Sequence, residues 1–110
     1  MRKTNRITQV FDLGPDQHQH AMSFSVSPNS ATLRVTLNGE ASWGKNDFDL
    51  HLFKGDGPIP ASFLCSAKGT GQFGACEINN PEPSIWSALI KRKQGSGLAQ
   101  VTVNISPANQ

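Results

Sequence analysis

No stretch of this chain approaches the ~20 consecutive apolar residues of a membrane helix, so no membrane-spanning helix is expected. Charge is sparse: 16% of residues are Asp, Glu, Lys or Arg, and the net charge of +2 specifies no anionic partner. Basic residues cluster only at Arg2, Lys3 and Arg6 and at Lys91-Arg92-Lys93. A nucleic-acid surface spreads charge over a face and adds stacking aromatics. No such pattern is present, so no nucleic-acid partner is expected, and the triplet reads as the solvated end of a strand before Gly95-Ser96-Gly97. That glycine-serine-glycine lacks the spacing of a nucleophile elbow, and no Ser, His and Asp set has a spacing that requires a triad. The chain therefore reads as non-enzymatic. Residues 1–6 lead into no apolar core of signal-peptide length.

What is present is alternation. Met22, Phe24 and Val26 alternate with Ser23, Ser25 and Ser27, and Pro28-Asn29 ends the strand. Leu33, Val35 and Leu37 alternate with Thr32, Arg34 and Thr36 before the turn signal Asn38-Gly39. Phe48, Leu50 and Leu52 take one side of the next strand, with Asp49 and His51 on the other. Val101, Val103 and Ile105 repeat the pattern before Pro107. Weaker strands are predicted over 7–13, 61–65, 75–79 and 85–91. Seven or eight short strands with one polar face each need a second sheet over their apolar faces. The expected fold is an all-β antiparallel sandwich of Greek-key or jelly-roll type. A chain of 110 residues suits one such domain. It is expected over 7–106, with mobile ends at 1–6 and 107–110 and a polar connection over 14–20.

Two cysteines, Cys65 and Cys76, enclose a glycine-rich loop that can bring two strand ends together. A thioredoxin-like pair needs two intervening residues, not ten, and a zinc site needs two more ligands, for which only His18, His20 and His51 are available. A structural disulfide is expected, with two buried thiols as the alternative, and a disulfide implies an oxidising compartment. Asp47 and Asp49, two apart on a strand, project to one face, with Glu40, Asn46 and Asp56 in the flanking connections. Hard oxygen ligands of this kind suit calcium. The competing reading makes Asp47 a turn cap and leaves Asp49 in water. Trp86, beside Ile85, Ala88, Leu89 and Ile90, reads as core. Trp43 sits in a loop composition and reads either as a ligand contact or as a lid over the sandwich edge.

Taken in order, Phe24-Ser25-Val26, Leu33-Arg34-Val35-Thr36-Leu37, Asp47-Phe48-Asp49-Leu50, Cys65, Cys76, Pro83-Ser84-Ile85-Trp86 and Val101-Thr102-Val103 resemble the bacterial pre-peptidase C-terminal domain. The resemblance spans about residues 22–105. It implies a small β-sandwich appended to a secreted peptidase: a non-catalytic module aiding stability, secretion or docking on an insoluble protein or polysaccharide. Its partner would then be the catalytic domain of the same secreted protein, with the signal upstream of this chain. The alternative is a free-standing extracellular binding or assembly protein of lectin-like or subunit type. Some family members bind calcium through aspartates matching Asp47 and Asp49 and through acidic residues before the first full strand, where this chain has only Asp12 and Asp16. The family pattern places tyrosines where this chain has His51 and Ser87, and the chain has no tyrosine at all. Collagen binding is therefore not implied.

Overall fold

The alternating apolar positions become the two inner faces of a sandwich. A computed structural model of the protein describes residues 5–13, 19–39, 47–67, 73–94 and 97–107. Among them are eight strands: β1 (Asn5–Leu13), β2 (Gln19–Val26), β3 (Ser30–Gly39), β4 (Asp47–Lys54), β5 (Cys65–Ala67), β6 (Phe73–Asn79), β7 (Ser84–Gln94) and β8 (Gly97–Pro107). One four-stranded sheet, here sheet A, has the order β1-β8-β3-β6, and sheet B has the order β2-β7-β4-β5. Every pairing is antiparallel. Successive strands cross from one sheet to the other, except at the β4–β5 step, which gives the jelly-roll arrangement.

Inner residues meet row by row. In sheet B, Met22 lies opposite Ala88 and Phe24 opposite Trp86; in sheet A, Val35 lies between Cys76 and Val103. Leu33, Val35, Leu50, Leu52, Ala88, Ile90, Val101 and Val103 are fully buried. Each such aliphatic side chain, alanine apart, contributes roughly 1.5–3 kcal/mol relative to exposure. Trp86 joins this core, and its Nε1 donates to the Glu82 carbonyl at 2.9 Å, satisfying the ring's one polar atom. Asn29, with φ 65°, makes the turn between β2 and β3 signalled by Pro28-Asn29.

The cysteines lie on edge strands of opposite sheets. Cys65 on β5 is bonded to Cys76 on β6 with a Cα separation of 6.0 Å, so the bridge clamps sheet B to sheet A along one side. Gly74 on β6 belongs to the same seam, because a Cβ there would stand 3.2 Å from the Ala67 Cβ on β5.

Four sequence expectations shift. The predicted strand over 61–65 pairs only from Cys65 onward, because the segment after Pro58 and Pro60 is drawn across the outer surface of sheet B. β1 starts at Asn5, whose partner is Ile105, and β8 continues through Pro107, whose partner is Ser30. Residues 5, 6 and 107 thus belong to the sheet and not to the ends. β2 starts at Gln19, so His20 is a strand residue, stacked on Phe11 at 4.2 Å and hydrogen-bonded to Gln9 at 3.2 Å. Finally, Asp49 and His51 do face away from the core, yet they are only 4% and 5% exposed.

Candidate functional site

β4 is buried on both sides. Phe48, Leu50 and Leu52 enter the core, while Asp49, His51 and Phe53 line the outer face of sheet B. The cover is residues 55–64, which fold back over that face. The Phe63 ring stacks on His51 at 4.3 Å and tilts against Phe53 at 6.2 Å. Leu64 N–H donates to the Leu52 carbonyl and Gly55 N–H to the Ile85 carbonyl, anchoring both ends of the cover. Gly55 has φ 99°, a left-handed geometry that favours glycine.

Polar groups under the cover are paired. Ser87 Oγ donates to the Gly55 carbonyl at 2.6 Å. With its one proton so engaged, Ser87 accepts from Ser23 Oγ at 3.0 Å. His51 Nδ1 lies 2.7 Å from Ser66 Oγ. His51 is buried beneath Phe63 while Ser66 is exposed on the edge strand, so the contact satisfies the buried imidazole nitrogen.

The acidic pair is different. Asp49 Oδ1 and Asp47 Oδ1 are both buried and have no hydrogen-bond partner. Asp49 Oδ2 faces the Lys93 ammonium at 3.7 Å, an ion pair too long for a hydrogen bond. Two partnerless carboxylate oxygens at one end of a strand are oxygens of the kind a hard cation takes, two of the six to eight that calcium gathers. Of the other acidic residues named from sequence, Asp56 follows the far end of β4, roughly 25 Å away at ~3.3 Å per residue. Asp12 lies on the outer face of sheet A, opposite Leu98. Neither joins the pair. Glu40, Asn46, Asp16 and His18 lie outside the described residues, as does Trp43. Among the described residues no group of three or more His, Cys, Asp or Glu gathers as a metal cluster.

Sequence reading assigned Lys91-Arg92-Lys93 to a solvated strand end. In the fold Lys91 lies opposite Asp49, and the β4–β7 register passes from Asp47–Gln94 to Phe48–Arg92, leaving Lys93 as the extra residue of a β-bulge. No local signal places it there, because the neighbourhood is made by a strand some forty residues away.

The outer face of sheet A has no cover from the described residues. Thr8, Thr102 and Thr36 form one row across β1, β8 and β3, and Arg6, Asn104, Arg34 and Glu77 form the next. Thr8 and Thr102 hydroxyls lie 3.4 Å apart, Arg6 Nε donates to Asn104 Oδ1 at 3.0 Å, and Arg34 pairs with Glu77 at 3.2 Å. The face is ordered, polar and open, with Val10 and Leu98 as its exposed apolar members. A cleft of about 400 Å³ elsewhere has an apolar floor of Leu64, Ile78, Pro81 and Trp86. Its charged lining residues are already paired, Lys54 with Glu82 at 2.8 Å and Glu77 with Arg34.

Comparison with known proteins agrees with this architecture. The family model described as the bacterial pre-peptidase C-terminal domain matches residues 20–91, which run from β2 into β7. Among solved structures, the chain is similar to the pre-peptidase C-terminal domain of a collagenase from Bacillus anthracis. The TM-score is 0.69 at 14% identity, covering 88% of this chain and 87% of that one. At that identity the likeness concerns the fold. No curated protein matches.

Proposed function

The chain belongs to the bacterial pre-peptidase C-terminal domain family, and from that premise we propose that it docks a secreted peptidase, in whose chain it lies, onto an insoluble polymer. Membership makes it an accessory domain and not itself an enzyme. The observation that carries the docking reading is the contrast between the two outer faces. Residues 55–64 close sheet B over His51 and Phe53 of β4 and Ser87 of β7, leaving Ala21, Ser23 and Ser25 of β2 and the strand edges open, whereas sheet A presents continuous rows of threonine, asparagine and arginine. Hydroxyl, amide and guanidinium groups spaced at ~4.8 Å across strands suit the repeated hydroxyls of a polysaccharide or the carbonyls of a protein fibre. The disulfide supports an extracellular setting. Collagen is not favoured, since the position where the family pattern has tyrosine holds His51, buried under Phe63.

Co-sedimentation of the domain with insoluble polysaccharides and fibrous proteins tests this. At least one polymer should retain the domain, and Thr36→Glu with Thr102→Glu should release it without changing the circular dichroism spectrum. Retention unchanged by those substitutions would remove sheet A as the docking face.

Calcium is the second part of the proposal. Asp47 and Asp49 would hold the ion through their partnerless oxygens, and the bound charge would supply the counter-ion that a buried carboxylate requires. Binding to the folded state alone raises stability with the logarithm of free calcium. Melting should rise in millimolar calcium and fall in chelator, and Asp49→Asn should abolish most of the difference.

A further inference from the structure

The acidic pair already has a cation beside it. Asp49 has a side chain 6% exposed, and its Oδ2 meets the Lys93 ammonium at 3.7 Å, while the Lys93 side chain is 57% exposed. The carboxylate is fixed in the sheet, and the ammonium reaches it from solvent on a flexible four-carbon stem. The bulge puts Lys93 there: the register passes over it between Gln94 and Arg92, which re-aims its side chain toward β4. Meanwhile Oδ1 of Asp49 and Oδ1 of Asp47 stay buried and partnerless, so Lys93 answers only part of the charge it faces. Its 3.7 Å contact is loose enough to yield without breaking a hydrogen bond.

We propose that Lys93 is a built-in competitor for the cation position at Asp47 and Asp49, and that its displacement sets how tightly this chain holds a divalent ion. The inference rests on the calcium reading and deepens it. A tethered ammonium acts as a permanently present monovalent competitor. A divalent ion that enters must push it back into water or bear its repulsion at a few ångströms. Lys91 serves as the internal comparison, because it carries the same charge on the same strand opposite Asp49, yet among the described residues the only ion pair of Asp49 is with Lys93. Removing either lysine changes net charge equally; among the described residues Lys93 is the one ion-paired with Asp49.

Calorimetric titration of calcium into the wild-type domain, Lys93→Gln, Lys91→Gln and Asp49→Asn tests the proposal. Both lysines lie on the surface of a finished sheet, so the variants are checked only for an unchanged circular dichroism spectrum. Lys93→Gln should tighten calcium binding roughly tenfold and Lys91→Gln less than about threefold, since Coulomb repulsion falls with distance and solvent screening. Asp49→Asn should lose binding. A wild-type domain that ignores calcium while Lys93→Gln binds it would also support the proposal, as the case in which the lysine wins outright. Equal dissociation constants for wild type, Lys93→Gln and Lys91→Gln would overturn the role of Lys93 and leave the calcium reading standing. No heat of binding in any variant would overturn both.

Discussion

The outward sides of β4 in sheet B and β8 in sheet A come from the same kind of sequence and have opposite fates. On β4 of sheet B the outward residues Asp49, His51 and Phe53 are buried, His51 and Phe53 against Phe63 of the 55–64 segment; on β8 of sheet A the outward residues Leu98 and Gln100 are exposed and Thr102 and Asn104 half-buried. Both faces alternate with core positions and both are rich in polar side chains. What separates them is a connection. The β4–β5 link is long enough, and turned by Gly55, Pro58 and Pro60, to lie back on its own sheet with Phe63 as the inserted side chain. Where the face is covered, its buried polar groups pair locally: Ser87 with the Gly55 carbonyl and Ser23, and His51 with Ser66. A face left open has no such demand, and its side chains are available to a partner.

Perturbations of the closed side should be costly and those of the open side cheap. The largest loss is expected from replacing Cys65 and Cys76 together by serine, since the bridge ties sheet B to sheet A beside the cover. The chain-entropy estimate for a ring of this length is about 3 kcal/mol, to be read from urea midpoints with and without the substitutions. Phe63→Ala should follow at about 2 kcal/mol. That is below a full core truncation because the ring is only partly buried, and above a surface change because it leaves a void over His51. Amide exchange in β4 should then accelerate, as outer groups that had been dry meet water. Ser87→Ala removes the donor to the Gly55 carbonyl and the acceptor for Ser23, for a loss of about 1–2 kcal/mol in the same assay. At the small end, Thr36→Ala and Thr102→Ala on sheet A should each change stability by within about 0.5 kcal/mol. A large loss there would mean that the open face is structural and would erase the contrast.

Much of this architecture is legible in the chain. Met22-Ser23-Phe24-Ser25-Val26 and Val101-Thr102-Val103-Asn104-Ile105 state their inner and outer faces by period two alone, because the pleat sends neighbours to opposite sides. The Cys65–Cys76 bridge and the core position of Trp86 also follow from local composition. The state of the outer faces is not written locally. Alternation says that Asp49 and His51 point away from the core, and water is then the default environment. The burial of His51 depends on Phe63, which reads as one more strand residue until Pro58 and Pro60 are seen to redirect the chain. The meeting of Lys93 with Asp49 is less legible still. It depends on a one-residue bulge in the pairing of β4 with β7, and no pattern within either strand encodes the register of the pair.

Hydroxyl-radical footprinting of the free domain and of the domain bound to a retaining polymer tests the distinction between the faces most directly. In the free domain Val10 and Leu98 on sheet A should be oxidised readily, whereas Phe53, His51 and Leu89 under the cover should be protected. Adding the polymer should protect Val10 and Leu98 and leave the sheet B residues unchanged. Oxidation of Phe53 and His51 at the rate of Val10 in the free domain, or polymer protection confined to β2 and residues 55–64, would contradict it.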